Sequence, residues 1–264
     1  MKKHQKILLI LTILLILLSG IIVYAQTQIS STENVEVVTN AMLNSSSEIL
    51  NTLNSNSSIS KTDVIYDELR QENIYKISNE KYTINLDESN NLIGIYSTSI
   101  NEITARTAST KDSVQSMIIN KYNDLNLPSE YELVYLEKFD DQIWQANFEK
   151  NYNGVYNKYE SVKVFFIPEN DEIVALTVFN EGSDSSTVTV SQEQAISTAT
   201  TSLNIDSSDI VSASLSMEKA NNYYDESSTD TSVHTSWVLQ TADNNFVYVD
   251  ASDNTIIGGD CINE

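Results

Sequence analysis

Residues 164–176 read Val164-Phe-Phe-Ile-Pro-Glu-Asn-Asp-Glu-Ile-Val-Ala-Leu176, a pattern that is typical of a β-hairpin. An apolar run of β-branched and aromatic residues leads into a polar turn, and a second apolar run follows it. The stretches Tyr82–Ile95 and Phe246–Gly258 have the same pattern, the last with one extra residue. Repetition of one strand–turn–strand pattern along the chain predicts repeated structural units.

A helix is predicted before each of the second and third hairpins. Thr110 is a favourable N-cap, and apolar residues then recur at helical spacing on one face. They are Val114, Met117, Ile118, Tyr122 and Leu125. Ser191 and Gln194 fit a capping box, because the serine hydroxyl can accept the amide of Gln194 while the glutamine side chain returns to the serine amide. The apolar face of this second helix consists of Ala195, Ile196, Ala199 and Leu203.

A strand with a tryptophan, Trp144 or Trp237, lies between each helix and its hairpin. Because the two rings occupy matching places in a repeated unit, they are interpreted as core anchors rather than as ligand platforms. The order helix, strand, tryptophan strand and hairpin predicts an α+β fold of tandem small domains, each a helix packed on an antiparallel sheet, after an N-terminal hydrophobic helix. The polar segment Gly182–Thr187 is predicted to link two units.

Residues 33–108 support two interpretations. An apolar helix face can be drawn through Val35, Val38, Met42, Ile49 and Leu53. The run Asn44–Ser60 is rich in Asn and Ser, however, and also fits a loop or stalk. Residues 74–96 read as strands, so a degenerate first copy of the unit is one interpretation of this region.

The N-terminus combines Lys2, Lys3 and Lys6 with an uncharged, mostly aliphatic stretch that ends at Ala25. This pattern fits a signal peptide that is cleaved near Ala25. It also fits an uncleaved anchor through residues 7–24, because an apolar helix of this length approaches the thickness of a bilayer. In both interpretations the lysines stay on the cytosolic side, and the body of the chain lies outside the cytosol.

Charge excludes one large class of partners. The chain has 15 Lys and Arg residues against 37 Asp and Glu residues. Residues 1–25 hold three of the basic residues and none of the acidic ones, which leaves a net charge of −25 on the body. Such a surface repels nucleic acid, so no nucleic-acid partner is expected. Cys261 is the one cysteine, so no disulfide can form within the chain, and Cys261 is either a free thiol or pairs with another chain.

Two segments carry a resemblance to known families. The run Trp144-Gln-Ala-Asn-Phe-Glu-Lys-Asn-Tyr152-Asn-Gly154-Val-Tyr156, with Val162-Lys-Val-Phe-Phe after it, resembles the propeptide domain of fungalysin and thermolysin-type metalloproteases and the related YcdB/YcdC repeats. The last unit is similar to a PepSY domain in the runs Ser191-Gln-Glu-Gln-Ala-Ile, Trp237-Val-Leu and Tyr248-Val-Asp250-Ala. Two features depart from the family pattern. Tyr156 replaces the usual proline, and Asn or Asp replaces the Gly expected in the last turns.

The resemblance implies a division of the chain and a function. Residues 1–25 are a signal peptide or membrane anchor, 26–108 an N-terminal region that could be a degenerate PepSY-like unit, 109–182 a propeptide/YcdB-like unit, and 190–260 a PepSY-like unit. No protease domain is expected after Glu264. The implied function is that of a non-catalytic exported protein that binds a secreted or cell-wall hydrolase or peptidase and inhibits or assists it. The alternative is a membrane-anchored, envelope or germination-related structural or signalling protein.

No catalytic, cofactor-binding or metal-ligating residue is predicted, and the chain is not expected to be an enzyme or to need a cofactor. Its histidines are His4 and His234, and it lacks the His-Glu-x-x-His motif of zinc peptidases. A Ser-His-Asp or Cys-His site would have to use His234, which has no nucleophile-elbow sequence nearby. An enzyme of unknown type is therefore the third-ranked hypothesis.

Two further motifs have an ordinary structural interpretation beside the functional one. Asp250-Ala-Ser-Asp253-Asn254 resembles the opening of a calcium loop, but Thr255 occupies the glycine position and no Glu closes the loop, which favours a hairpin turn. Tyr152 and Tyr156 flank Gly154 and could form a contact surface, although packing within a loop is the expected role.

Overall fold

The computed structural model describes residues 38–55, 57–68, 70–98, 109–185 and 187–261. Within these ranges the helices are α1 (Asn40–Thr52), α2 (Lys111–Asp124) and α3 (Gln192–Leu203). The strands of the first part are β1 (Lys61–Asp67), β2 (Glu72–Ser78), β3 (Tyr82–Leu86), β4 (Leu92–Ser97), β5 (Tyr131–Lys138), β6 (Trp144–Tyr152), β7 (Val155–Ile167) and β8 (Glu172–Asn180). They are followed by β9 (Ser183–Ser185), β10 (Ile210–Lys219), β11 (Val233–Thr241), β12 (Asn245–Asp250) and β13 (Ile256–Cys261).

The strands form two sheets. The larger sheet has eight antiparallel strands in the order β1-β2-β3-β4-β8-β7-β6-β5. The smaller sheet has the antiparallel order β10-β11-β12-β13, and the short β9 pairs with β11 in parallel. Apart from the short β9, an order of one helix and then four strands therefore recurs three times along the described chain. The first two of these runs share one sheet.

The predicted fold class was wrong. The described chain is mostly antiparallel β-sheet with three helices, and the first two runs do not form separate small domains. They join where β4 pairs with β8, through Gly94 with Thr177, Ile95 with Leu176 and Tyr96 with Ala175. Pairing satisfies backbone groups that would otherwise form two exposed edges, and it places Ile95 and Leu176 in one core. The predicted N-terminal hydrophobic helix lies outside the described residues, and the predicted domain boundaries stay predictions.

Helices α1 and α2 contribute to the core on one face of the larger sheet. Met42 and Leu50 of α1 and Val114 and Ile118 of α2 are buried with the inward residues of the strands. The stretch 44–52 is helical, so the loop or stalk interpretation was wrong there. The predicted cap of α2 is confirmed, because the Thr110 hydroxyl accepts the Ser113 amide.

Helix α3 packs on the smaller sheet. Its two alanines, Ala195 and Ala199, are fully buried and allow the helix backbone to approach the strands closely. The predicted capping box at Ser191 and Gln194 is confirmed. Trp237 is packed against this core and donates its indole N–H to the carbonyl oxygen of Val190 at 2.8 Å, which supports its role as a core anchor.

The predicted hairpins are also confirmed. Strand β3 pairs with β4, β7 with β8, and β12 with β13, all antiparallel. Trp144 of β6 lies in the core of the larger sheet with 6% of its surface exposed. Tyr122 stacks on Phe148 with ring centroids 4.0 Å apart, which ties α2 to strand β6.

A third, small apolar cluster joins the two sheets. Val155 of β7, Met217 of β10 and Val233 of β11 are buried together, with Tyr152, Tyr159 and Leu215 packed against them. At its margin Lys158 Nζ lies 2.9 Å from the carboxylate of Glu218. Glu218 has 8% of its side chain exposed, so this ion pair compensates a carboxylate that is almost out of water.

Candidate functional site

Strand β5 ends the larger sheet and offers an open backbone edge. In the described part of the chain no strand pairs with its outer side. Phe139 donates its amide to the carbonyl oxygen of Ile143 at 2.8 Å, which makes these two residues a hydrogen-bonded pair. Because such pairs alternate along an antiparallel ladder, the N–H and C=O groups of Leu136 and Lys138 point away from β6.

Two adjacent apolar side chains along this edge are exposed. Val134 and Tyr135 are neighbours in sequence, and 37% and 43% of their surfaces are exposed. The register between β5 and β6 shifts at this point, so Val134 is the extra residue of a β-bulge. The bulge lengthens the spacing between the inward residues Leu133 and Leu136 to three, and it leaves two consecutive apolar side chains outside the core.

Tyr156 of β7 extends the apolar patch. Its ring is 38% exposed, and its hydroxyl donates to Oε2 of Glu132 at 2.7 Å, which raises the pKa of Tyr156. The turn before it contains Asn153 and Gly154, both with positive φ, as a tight hairpin turn requires. We refer to Glu132, Val134, Tyr135, Lys138 and Tyr156 as the β5 edge surface.

A buried carboxylate anchors the β6–β7 hairpin close to this surface. Glu160 has 4% of its surface exposed, accepts from Lys150 Nζ at 2.9 Å and from Asn157 Nδ2 at 3.2 Å, and accepts from the Tyr152 hydroxyl. Burial would raise the pKa of Glu160, but the hydrogen bonds from Tyr152 and Lys150 outweigh it and lower that pKa. The same contact with Glu160 raises the pKa of Lys150. The cluster is internally satisfied, so we assign it to holding the hairpin.

His234 is the centre of the second polar cluster. Its Nδ1 lies 2.7 Å from Oδ2 of Asp250, and its Nε2 lies 2.8 Å from the hydroxyl oxygen of Ser232. These are the residue types and ring nitrogens of a Ser-His-Asp site. Asp230 changes their chemistry, however, because its Oδ2 lies 3.0 Å from the same Nε2 and its Oδ1 accepts the Ser232 hydroxyl at 2.5 Å. Ser232 therefore directs its proton to Asp230, and Nε2 faces a carboxylate rather than a serine proton.

The His234 cluster holds a long connection in place. Ser232 and Asp230 belong to the segment between β10 and β11, whereas Asp250 begins the turn between β12 and β13. Hydrogen bonds from Ser232 help to lower the pKa of Asp230, with a smaller contribution from His234. Burial would raise the pKa of Asp250, but hydrogen bonds from Ser252 and His234 lower it. The sequence identified His234 as the residue that a Ser-His-Asp or Cys-His site would have to use, and in the structure its hydrogen bonds connect two loops.

The calcium-like motif is a hairpin turn, as the sequence favoured. Oδ1 of Asp250 accepts the amides of Ser252 at 2.6 Å and Asp253 at 3.3 Å. Oδ1 of Asp253 accepts the Thr255 amide at 2.9 Å. The described residues contain no group of three or more His, Cys, Asp or Glu residues placed to hold a metal ion.

The remaining residues that the sequence identified lie apart from one another. Tyr152 packs in the cluster between the sheets, whereas Tyr156 is exposed on the β5 edge surface. Cys261 ends β13, and its side chain is partly buried. Glu132, Val134 and Tyr135 were missed. Their only signal in the sequence is the run of four apolar residues from Leu133 to Leu136, which interrupts the alternation that Tyr131-Glu132-Leu133 begins.

The sequence matches no family model and no curated protein. Among solved structures, the chain is similar to the Bacillus megaterium YpeB C-terminal domain, with a TM-score of 0.50 and 10% identity over 86% of this chain and 99% of that one. It is also similar to an uncharacterized protein from Eubacterium rectale, with a TM-score of 0.43 and 10% identity over 81% and 80% of the two chains. The second likeness is too low to support an argument. The first concerns the fold alone, and it supports the predicted resemblance only as a distant PepSY-like fold.

The predicted membrane anchor, residues 7–24, lies outside the described residues. Of the helices in residues 38–261 that are described, none has the length and apolar character to cross a bilayer.

Proposed function

We propose that this chain is a non-catalytic exported protein that binds a secreted or cell-wall hydrolase or peptidase and inhibits or assists it. The observation that carries the proposal is the β5 edge surface. An open strand edge beside exposed Val134, Tyr135 and Tyr156 has the two elements of strand addition, namely unpaired main-chain groups and side-chain contacts next to them. Exposed strand edges promote aggregation, and proteins usually cover or protect them. An edge that stays exposed therefore favours a role in binding a partner.

The polar clusters support a binding role over a catalytic one. Lys150, Tyr152 and Asn157 satisfy Glu160, and Asp230 and Asp250 engage both nitrogens of His234. A general base needs a proton acceptor that is directed at substrate, and neither cluster offers one in this arrangement. The proposed place of action is outside the cytosol, in the medium if the leader is cleaved near Ala25 and at the membrane if residues 7–24 stay attached.

Photo-cross-linking combined with an activity assay tests the proposal. A photoreactive amino acid at position 134 of the full chain should form an adduct with an envelope or secreted hydrolase, which mass spectrometry identifies. The same group at Val188, which is 44% exposed between β9 and α3 and lies in no strand, is the matched control. Addition of the unmodified chain should then change the turnover of the captured hydrolase. Unchanged turnover, or equal adducts from positions 134 and 188, would contradict the proposal.

A second candidate is a membrane-anchored, envelope or germination-related structural or signalling protein. Its support is the fold likeness to the YpeB C-terminal domain of Bacillus megaterium, almost all of which this chain covers. N-terminal sequencing of the mature protein separates the candidates. A chain that begins at Gln26 favours a diffusible modulator, whereas a chain that retains Lys2 favours the anchored protein.

A further inference from the structure

The edges of the two sheets differ in what covers them. The outer edge of β13 is occupied by Asn221, whose amide donates to the Ile257 carbonyl oxygen at 2.9 Å and whose side chain exchanges two hydrogen bonds with Gly259. On β1 the amide of Val64 faces away from β2, and Oδ1 of Asp63 accepts it at 3.0 Å. One hydrogen-bonding group of this edge is therefore already satisfied. In the described ranges no side chain accepts from the β5 amides in this way, so β5 keeps an open backbone edge.

The charge around β5 indicates what it can accept. Exposed carboxylates at Glu130, Glu132 and Asp141 surround the strand, and Glu137 is paired with Lys111 at 2.7 Å. The whole chain carries a net charge of −22. Two copies that approached edge to edge would repel each other, whereas a basic segment would be attracted. Charge therefore argues against a second copy of this chain as the occupant.

We propose that the β5 edge surface binds an extended, basic segment of the partner as an added β-strand. This inference rests on the proposed function and names the part of the partner that is recognised. Main-chain groups of the segment pair with Leu136 and Lys138, and apolar side chains of the segment contact Val134 and Tyr135. Its lysine or arginine side chains reach the carboxylates of Glu130 and Glu132, which gives specificity for a basic sequence.

A synthetic peptide in which lysine and valine alternate is the probe. Its fluorescein-labelled form is titrated with the full chain in nonionic detergent, and anisotropy gives the dissociation constant. A peptide of the same length with glutamate in place of lysine is the composition control. We expect saturable binding of the lysine peptide that weakens as salt rises, because the attraction is screened, and no measurable binding of the glutamate peptide.

Lys138→Pro tests the strand geometry directly. The ring removes an outward amide without removing a bond to β6, so the fold is retained, which circular dichroism checks. Lys138→Gln is the matched control, since it removes the same charge and keeps the amide. We expect Lys138→Pro to weaken peptide binding about tenfold and Lys138→Gln to bind as tightly as the parent chain or slightly more tightly.

Three results would overturn the inference: no binding of the lysine peptide, equal binding of both peptides, or equal affinities of the proline and glutamine variants. These failures differ from a failure of the proposed function. If the captured hydrolase still responds to the chain while Lys138→Pro has no effect on that response, the function stands and the recognition site lies elsewhere. If the peptide binds as expected but no hydrolase responds, the edge inference stands and the function falls.

Discussion

Each of the three runs of one helix and four strands has a last strand, namely β4, β8 or β13. These three strands have different neighbours. Strands β4 and β8 pair with each other and join two runs into one sheet, whereas β13 is covered by Asn221 and remains the end of its sheet. The tyrosine rings that cover a glycine in β4 and in β13 also come from different places in the chain. Tyr96 lies over Gly94 within β4, while Tyr224, from the loop after β10, lies over Gly259 of β13 and donates its hydroxyl to the Phe246 carbonyl oxygen.

The same order of elements therefore does not determine whether neighbouring units share a sheet. An edge strand can be paired, capped by a local side chain or left open, and this chain contains all three cases. Strands β4 and β8 pair with each other, Asn221 caps β13, and the outer edge of β5 is open in the described chain.

Substitution at the junction of β4 and β8 should cost the most stability. Leu176 lies at the β4–β8 junction with 1% of its surface exposed. We expect Leu176→Ala to lower the free energy of unfolding by about 3 kcal/mol, through lost burial and the cavity that remains. Urea denaturation of the full chain measures this. Phe179→Ala on the same strand is the control, since Phe179 is 39% exposed and should cost less than half as much.

A smaller loss is expected at the covered edge. A methyl group added at Gly259 would overlap the Phe246 carbonyl oxygen and the Tyr224 ring. Gly259→Ala should therefore destabilise the chain by about 2 kcal/mol, as overpacking does, and thermal denaturation measures the loss. Gly182→Ala is the matched control because the nearest atom to its added methyl lies 3.9 Å away. An unchanged melting temperature in Gly259→Ala would show that Tyr224 does not pack there.

Asn221→Ala should uncover β13. Loss of its side-chain bonds to Gly259 is expected to cost about 1 kcal/mol. The uncovered amide of Gly259 should also exchange its hydrogen faster, which hydrogen exchange measures. The adjacent, exposed Asn222→Ala should leave both properties unchanged. If Gly259 exchanges as slowly in Asn221→Ala as in the parent chain, the Asn221 side chain does not cap this edge.

The smallest change in the free energy of unfolding is expected for Asp250 at acidic pH. The pKa of Asp250 is lowered in the folded chain, so its contribution to stability is full above the unfolded pKa of about 4 and is lost as pH falls through the folded value. We expect the difference in unfolding free energy between the parent chain and Asp250→Asn to shrink between neutral pH and pH 3. A difference that is constant across this range would mean that the carboxylate charge is not involved.

Local features of the fold could be predicted from the sequence. The caps at Thr110 and Ser191 and the three hairpins depend on side chains close together in the chain, and each was found. The joined sheet could not be predicted, because alternation shows which face of a strand is buried but not which strand lies beside it. Gly94 and Thr177 pair across more than 80 residues, and no local signal links them.

The candidate site was predictable only in part. The sequence drew attention to Tyr156 and correctly favoured a turn at Asp250–Asn254. It did not reveal the exposure of Val134 and Tyr135, since the bulge that turns them outward follows from pairing with β6. His234 illustrates the opposite case, because its neighbours Asp230 and Ser232 are close in sequence while Asp250 reaches it only through the fold of the smaller sheet.

Amide hydrogen exchange of the full chain, without any partner, tests the openness of β5 most directly. Resolved residue by residue, it should show rapid exchange at Leu136 and Lys138, whose amides face solvent, and slow exchange at Gly259, whose amide donates to Oδ1 of Asn221 at 3.1 Å. If Leu136 and Lys138 are protected as strongly as Gly259, the β5 edge is already covered, and the account of partner binding at this edge is wrong.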